Sequence, residues 1–292
     1  MRSLTLDSIS DSESKLFLAI GNDQANAIWE KGLALQKGWK KPGPGADRNA
    51  REGYIKSKYM WKGFLAYNES DGKTEAERVA SFSRKLHSAA KESNLLGMSE
   101  ALAFGAHVDW VNEDDGNKNC LEICVQHKKQ GDEDGFGLVC LELLWQHGVK
   151  METGFGVPIL DFATVENADK EVIDYLWSKL PETERKDRLG KMLYEAAKLN
   201  DLASLAEAIQ KGANISWKNP KDSGKSALHV CVLGKKPKDG SKWNAIECVE
   251  LLLGNGGQLE ALDNDGHNCM DVAVVGNAER EMVEFLATKL PP

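Results

Sequence analysis

Lys85–Trp110, KLHSAAKESNLLGMSEALAFGAHVDW, returns 107 residues later as Met192–Trp217, MLYEAAKLNDLASLAEAIQKGANISW. Leu86 falls on Leu193, Gly105 on Gly212 and Trp110 on Trp217. The correspondence continues outward. Leu121-Glu-Ile-Cys124-Val125 matches Leu228-His-Val-Cys231-Val232, and CLELLWQHGVKME from Cys140 matches CVELLLGNGGQLE from Cys248. DFATVENADKEVIDYLWSKLP (Asp161–Pro181) closes the first copy as DVAVVGNAEREMVEFLATKLP (Asp271–Pro291) closes the second. Two blocks, 84–181 and 188–291, are therefore duplicates, and such self-similarity decides an architecture before any local propensity does.

Each block divides into three units of one kind. A short Ala-rich helix is followed by a second helix rich in Leu, then Gly with a small or polar residue, then an extended stretch. Ser88-Ala-Ala90, Met98–Leu102 and Gly105-Ala106 form one such unit; Ala196-Ala197, Leu205–Ile209 and Gly212-Ala213 form its copy. One helix pair cannot bury its own apolar face, so neighbours must stack. Small Ala side chains permit close approach, and Gly supplies the left-handed helix end. Ala227-Leu228-His229 resembles the Thr-Pro-Leu-His turn of ankyrin repeats. The expected fold is mainly all-α, an ankyrin-repeat solenoid of about six degenerate repeats. His87 and His229, at the starts of first helices, are expected to be structural, and Trp110 and Trp217 to pack.

Both middle units carry charged insertions, Lys128-Lys-Gln-Gly-Asp-Glu-Asp134 and Lys235-Lys-Pro-Lys-Asp-Gly-Ser241. These read as exposed loops, and solenoid insertions often lie on the binding face. Lys128, Lys129, Lys235 and Lys236 are the candidate partner-binding residues.

Before the blocks, Arg2–Leu6 alternates as an edge strand would. Glu13–Leu33 has helical spacing through Leu16, Phe17, Ile20, Ala25, Ile28 and Trp29. Arg48–Leu65 is helical again, with Tyr54, Ile55, Tyr59 and Phe64 on one stripe and Arg51, Lys56, Lys58 and Lys62 mostly outside it. Residues 66–83 are polar and acidic and read as a linker. Of the 292 residues, 41% are hydrophobic and the net charge is −8. The charge is uneven: residues 1–65 hold 11 Lys and Arg against 7 Asp and Glu, the rest 26 against 38. A basic head favours an anionic membrane or acidic partner. The acidic repeats argue against nucleic-acid binding. No apolar run approaches the roughly 20 residues a bilayer span needs.

The six cysteines, Cys120, Cys124, Cys140, Cys231, Cys248 and Cys269, form no CxxC pair and sit among apolar residues. They read as small buried hydrophobes, in the reducing setting of a cytoplasmic protein. Cys120, Cys124 and His127 share helical spacing, but a zinc site wants four ligands and no second pair accompanies them. No phosphate-cradling loop, nucleophile elbow or HExxH occurs.

RSLTLD (Arg2–Asp7), Gly21-Asn22, Ala25-Asn26, Trp29-Glu30, Lys41-Pro42-x-Pro44 and Tyr54-Ile-Lys-Ser-Lys-Tyr59 resemble the second half of an Arf GTPase-activating (Arf-GAP) domain. Ile9 stands where that family usually has Trp. Gly97–Asn112 and Glu166–Leu176 look like the centaurin-β type, which joins BAR, pleckstrin-homology, Arf-GAP and ankyrin modules. The resemblance implies Arf GTPases as partners, unknown ankyrin ligands, vesicle traffic as the setting and a place peripheral to endosomal or plasma membranes. It marks Arg2, Asp7, Gly21, Asn22, Asn26 and Trp29 as family-motif residues. The family's CxxC…CxxC zinc finger and catalytic arginine belong upstream of RSLTLD. Zinc is expected only with that half; residues 1–65 are read as a partial Arf-GAP segment with no catalytic residue and no cofactor of its own, and Met1 as standing inside the domain. Residues 84–292 are expected to fold as a repeat without them.

Overall fold

A computed structural model describes residues 9–127, 135–236 and 242–289. Arg2, Asp7 and the Arg2–Leu6 strand, and Lys128 with Lys129, lie outside the described residues. The chain divides into two compact units, Met1–Lys179 and Leu180–Pro292.

In the first unit, α1 (Asp11–Trp29) starts where Ser10 and Glu13 cap one another reciprocally. Inside α1, Gly21 has φ 65° and ψ 165°, so the helix is two helical arms across a kink. The chain leaves α1 before Leu33 because Gly32 passes against Phe64 and Leu65. Its N–H donates to the Phe64 carbonyl at 2.7 Å, and a Cβ there would stand 3.0 Å from two backbone oxygens. Asp47 caps α2 (Arg48–Ile55), which runs into a π turn at Lys56–Met60. Helix therefore stops at Met60, short of Leu65.

Three helix pairs come next: α3 (Glu75–Lys91) with α4 (Leu95–Ala103), α5 (Cys120–Gln126) with α6 (Phe136–Gln146), and α7 (Ile159–Val165) with α8 (Lys170–Lys179). α3, α5 and α7 pack side by side as one layer; α4, α6 and α8 form the other. Between the first two pairs, β1 (Val111–Asn112) and β2 (Lys118–Asn119) make an antiparallel ribbon with Val111 opposite Asn119. Thr74 and Glu77 form the capping box of α3. Residues 75–83, read from composition as linker, are thus the first half of an ankyrin helix. The acidic residues that suggested a tether supply a helix N-terminus.

The second unit repeats the plan. α9 (Glu182–Leu199) pairs with α10 (Leu202–Gln210), α11 (Ala227–Cys231) with α12 (Ala245–Gly254), and α13 (Cys269–Val275) with α14 (Arg280–Lys289). β3 (Lys218–Asn219) pairs with β4 (Lys225–Ser226) in the place of β1 and β2. The duplicated positions do duplicate work: Leu86 and Leu193 are both fully buried, as are Ala90 and Ala197 within 1%. Each such Leu contributes about 1.5–3 kcal/mol by leaving water. Among the described residues the fold is all-α apart from the two ribbons and an isolated bridge between Glu152 and Pro158, in ankyrin-type pairs.

His229 is completely buried, with Nδ1 2.7 Å from Ser226 Oγ and Nε2 3.2 Å from the His267 carbonyl. It ties the second pair of its unit to the third. His87 is buried beneath Trp110, edge to face at 5.8 Å, with Nδ1 3.4 Å from Asn112 Nδ2. Trp217 covers Gly190 and donates from Nε1 to Asp187 at 3.0 Å. Both histidines and both tryptophans are structural. Burial holds His87 and His229 below the ordinary imidazole range. The unfolded chain takes up protons near pH 6.5, where the folded one does not. Falling pH therefore favours unfolding, with the loss beginning at about pH 6.5 and running down to the depressed folded values. The urea midpoint is expected to be lower at pH 5.5 than at pH 7.5; equal midpoints would contradict this.

Candidate functional site

The family-motif residues meet on the second arm of α1. Gly21 lies in a region of backbone space that only glycine occupies readily, and nothing stands within 4 Å of where its Cβ would be. Its role is in the backbone: it turns Asn22–Trp29 away from the line of the first arm. Asn22 is exposed. Asn26 accepts a hydrogen bond from Lys58 Nζ, and Glu30 accepts another from the same ammonium at 2.7 Å.

Lys58 is 4% exposed, although spacing put it outside the apolar stripe. The π turn explains the difference. It widens the helical cycle over Lys56–Met60 and so redirects the side chains within it. The ammonium is thus carried inward, onto Asn26 and Glu30. Lys41 reaches Glu30 as well, at 3.0 Å. Burial raises the Glu30 carboxyl, but the bonds from Lys58 and Lys41 outweigh it and hold it below its ordinary value. Burial and the neighbouring Glu30 push the Tyr54 phenol up.

Aromatic rings surround this pair. Trp29 and Tyr59 are 5.1 Å apart, Tyr54 and Phe64 5.1 Å, and Trp39 and Phe64 5.4 Å; Lys58 Nζ sits 5.0 Å from the Tyr59 centroid. Ile28 and Leu65 then join Phe82, Ala103 and Phe104 in one buried cluster, with Trp29 packed against it. The N-terminal segment is therefore docked on the first ankyrin pair.

A second anchor lies along α6. Glu142, with no exposed surface, accepts from Ser12 Oγ at 2.8 Å, Lys179 Nζ at 3.1 Å and Gln146 Nε2 at 2.6 Å. Gln146 also donates to Glu13 at 3.0 Å. Burial raises the Glu142 carboxyl, and the three donors more than offset it, leaving it below its ordinary range.

The segment exposes large apolar side chains among its charged ones. Leu18 is 85% exposed, Met60 68% and Trp61 65%. The cleft between residues 66–71 and α3–α4, about 400 Å³, is lined by charges already paired: Lys85 with Asp71 at 2.7 Å and Lys31 with Glu100 at 3.1 Å. Its geometry suits packing more than acid–base chemistry.

The other sequence candidates do not come together as a site. Lys235 and Lys236 are exposed but bonded within their own unit, Lys235 to the Asn277 carbonyl and Lys236 to the Glu281 carboxylate. Cys120, Cys124 and His127 are drawn apart. Cys120 is buried with its thiol pushed up to about 12 by burial, Cys124 faces Cys140, and His127 packs edge-on against Phe136 at 5.0 Å. Among the described residues, Asp263, Asp265 and His267 are grouped within metal-ligand reach, but Asp263 Oδ1 already accepts two turn N–H groups, from Asp265 and His267.

The sequence aligns with known proteins over almost the whole chain. "Arf-GAP with coiled-coil, ANK repeat and PH domain-containing protein 2" from Gallus gallus is 27% identical over 292 residues, covering 98% of this chain and 32% of that protein. The chain's homologues are Arf-GAP proteins with coiled-coil, ANK-repeat and PH domains. The Homo sapiens protein of the same name is 26% identical, covering 94% of this chain and 30% of its own length. The chain thus spans about a third of these relatives. "ADP-ribosylation factor GTPase-activating protein AGD12" from Arabidopsis thaliana is 35% identical over 116 residues, 35% of this chain and 34% of that protein. No family model matches the chain. Among solved structures, an ankyrin repeat protein aligns with TM-score 0.38 at 20% identity, over 70% of this chain and 96% of its own.

Proposed function

We propose that residues 1–292 are the Arf-facing and ankyrin part of an Arf GTPase-activating protein, and that this stretch binds an Arf-type GTPase without accelerating its GTP hydrolysis. The observation that carries the reading is the homology over nearly the whole chain, head and repeats together. The adjacent exposed Met60 and Trp61 support it, since exposed apolar side chains are a feature of interaction sites. Catalysis in this family is expected from an arginine finger, which neutralises charge developing on the γ-phosphate and is worth about 10³–10⁵ in rate. The finger and its zinc-binding CxxC…CxxC belong to the part of the family pattern that this sequence does not contain, and Arg2 belongs to the strand motif. The setting is the cytoplasm, peripheral to endosomal or plasma membranes; no described helix is long and apolar enough to cross one.

The test is single-turnover hydrolysis by GTP-loaded Arf with purified 1–292, beside a direct binding measurement. Saturable binding with an unchanged rate is expected. A tenfold acceleration would overturn the non-catalytic reading, and no binding at high micromolar concentration would overturn the Arf-facing one. In that second case the chain is a non-catalytic ankyrin scaffold. Phe155 (70% exposed) and Val157 (45%), on the loop after α6, favour that role.

A further inference from the structure

Cys124 and Cys140 sit at equivalent places to Cys231 and Cys248 in the duplicated blocks, each pair joining the two helices of a middle ankyrin unit. In the first block the sulfurs are paired as a disulfide, with Cα atoms 6.3 Å apart. That separation falls in the range a disulfide spans without backbone movement. In the second block the thiols are free, and Cys231 Sγ donates to the Ala245 carbonyl at 3.7 Å, at the start of the helix that carries Cys248. All four side chains have no exposed surface. The remaining two, Cys120 and Cys269, are also buried and free. They occupy first-helix starts with no cysteine at the matching position of the other block, where Ala227 and Ile159 stand.

We propose that each middle unit carries a dithiol that closes to a disulfide under a peroxide oxidant and reopens under a small thiol reductant. The two blocks show the closed and open forms of one arrangement. In the closing step one thiolate attacks a peroxide oxygen; the O–O bond breaks, an alcohol or water leaves, and a sulfenic acid forms. The partner thiolate then attacks that sulfur, the S–S bond forms and hydroxide departs as water. Two thiols lose two electrons and two protons, and the peroxide gains them. Reduction runs by thiolate exchange through a mixed disulfide. Because both sulfurs are buried, attack waits on local opening of the helix pair. Closure ties the first helix of the unit to the second across a sequence separation of 16 between Cys124 and Cys140, and across a similar stretch in the second block.

The experiment uses the full 292-residue chain, first reduced, then exposed to hydrogen peroxide under native conditions. Remaining thiols are alkylated after denaturation, and the chain is cut with trypsin and a glutamate-specific protease. Glu122 separates Cys120 from Cys124, and Glu250 and Glu260 separate Cys248 from Cys269. Two linked fragments are expected, Cys124–Cys140 and Cys231–Cys248, with Cys120 and Cys269 alkylated. The thermal midpoint is expected to rise by about 5–10 °C, as closing loops of this length does, and to return after reduced glutathione. Four alkylated cysteines at these positions after oxidation would overturn the proposal, as would linkages scattered over all six. Linkage at one pair alone would overturn its duplication. In Cys248→Ser the second linkage must vanish while the first remains; a Cys231 linkage persisting to another cysteine counts against the pairing.

Discussion

Replacing Glu142 with alanine is expected to destabilise the first unit by about 3–5 kcal/mol, the range for breaking a buried ion pair by removing one partner. The same replacement at Glu250 is expected to leave the second unit's transition where it is. The two residues are duplicates: Cys140-Leu-Glu142 aligns with Cys248-Val-Glu250. Glu142 has no exposed surface and accepts from Ser12, Lys179 and Gln146, whereas Glu250 is exposed. Removing the Glu142 carboxylate leaves Ser12, Gln146 and the Lys179 ammonium without their shared acceptor. Urea unfolding of both variants, followed by amide exchange to assign each transition to its unit, checks this. Equal shifts would mean that Glu142 is as dispensable as its copy.

Lys58→Ala is expected to cost about 3 kcal/mol or more and to release the N-terminal segment while the ankyrin pairs stay folded. Lys58 is held by Glu30 at 2.7 Å and by Asn26, and its ammonium lies against the Tyr59 ring. Without it Glu30 loses its buried cation and keeps the half-exposed Lys41 at 3.0 Å. The aromatic set of Trp29, Tyr54, Tyr59 and Phe64 then loses the charge around which it closes. Limited proteolysis should cut between 30 and 65 in the variant and not in the parent. Binding to Arf-type GTPases, if the exposed Met60 and Trp61 carry it, should fall in step with that cleavage. Unaltered protection would place the stability of this segment in the Ile28–Phe104 cluster instead.

The helix pairs were legible because duplication and apolar spacing both report packing that repeats. The Leu86/Leu193 and Ala90/Ala197 positions carry the same burden twice. Three features were not legible from spacing. Gly21 has helical apolar residues on both sides, so periodicity runs straight across the kink, and only the glycine itself marks it. Lys58 was placed outside the stripe because the count assumed an unbroken α-helical cycle, which the π turn at Lys56–Met60 interrupts. The docking of the segment onto the first pair is a tertiary fact, and it also changes an expectation. An 84–292 fragment would begin inside α3 and uncover Phe104, having lost Phe82, so its first pair is expected to be the least stable. A signal for that docking was nonetheless present, in where the copies differ. Ala103-Phe104, buried, aligns with Gln210-Lys211, exposed.

That divergence means the two blocks no longer commute. The first is a seat: it has Ala103 and Phe104 where the second has Gln210 and Lys211, and its Glu142 meets Ser12 rather than water. The second keeps a surface that can stand alone. A chain with the blocks exchanged would contain every ankyrin pair and every motif residue, yet would offer the N-terminal segment Gln210 and Lys211 to sit on. Position along the chain, and not repeat content, is thus what such a protein inherits from its duplication.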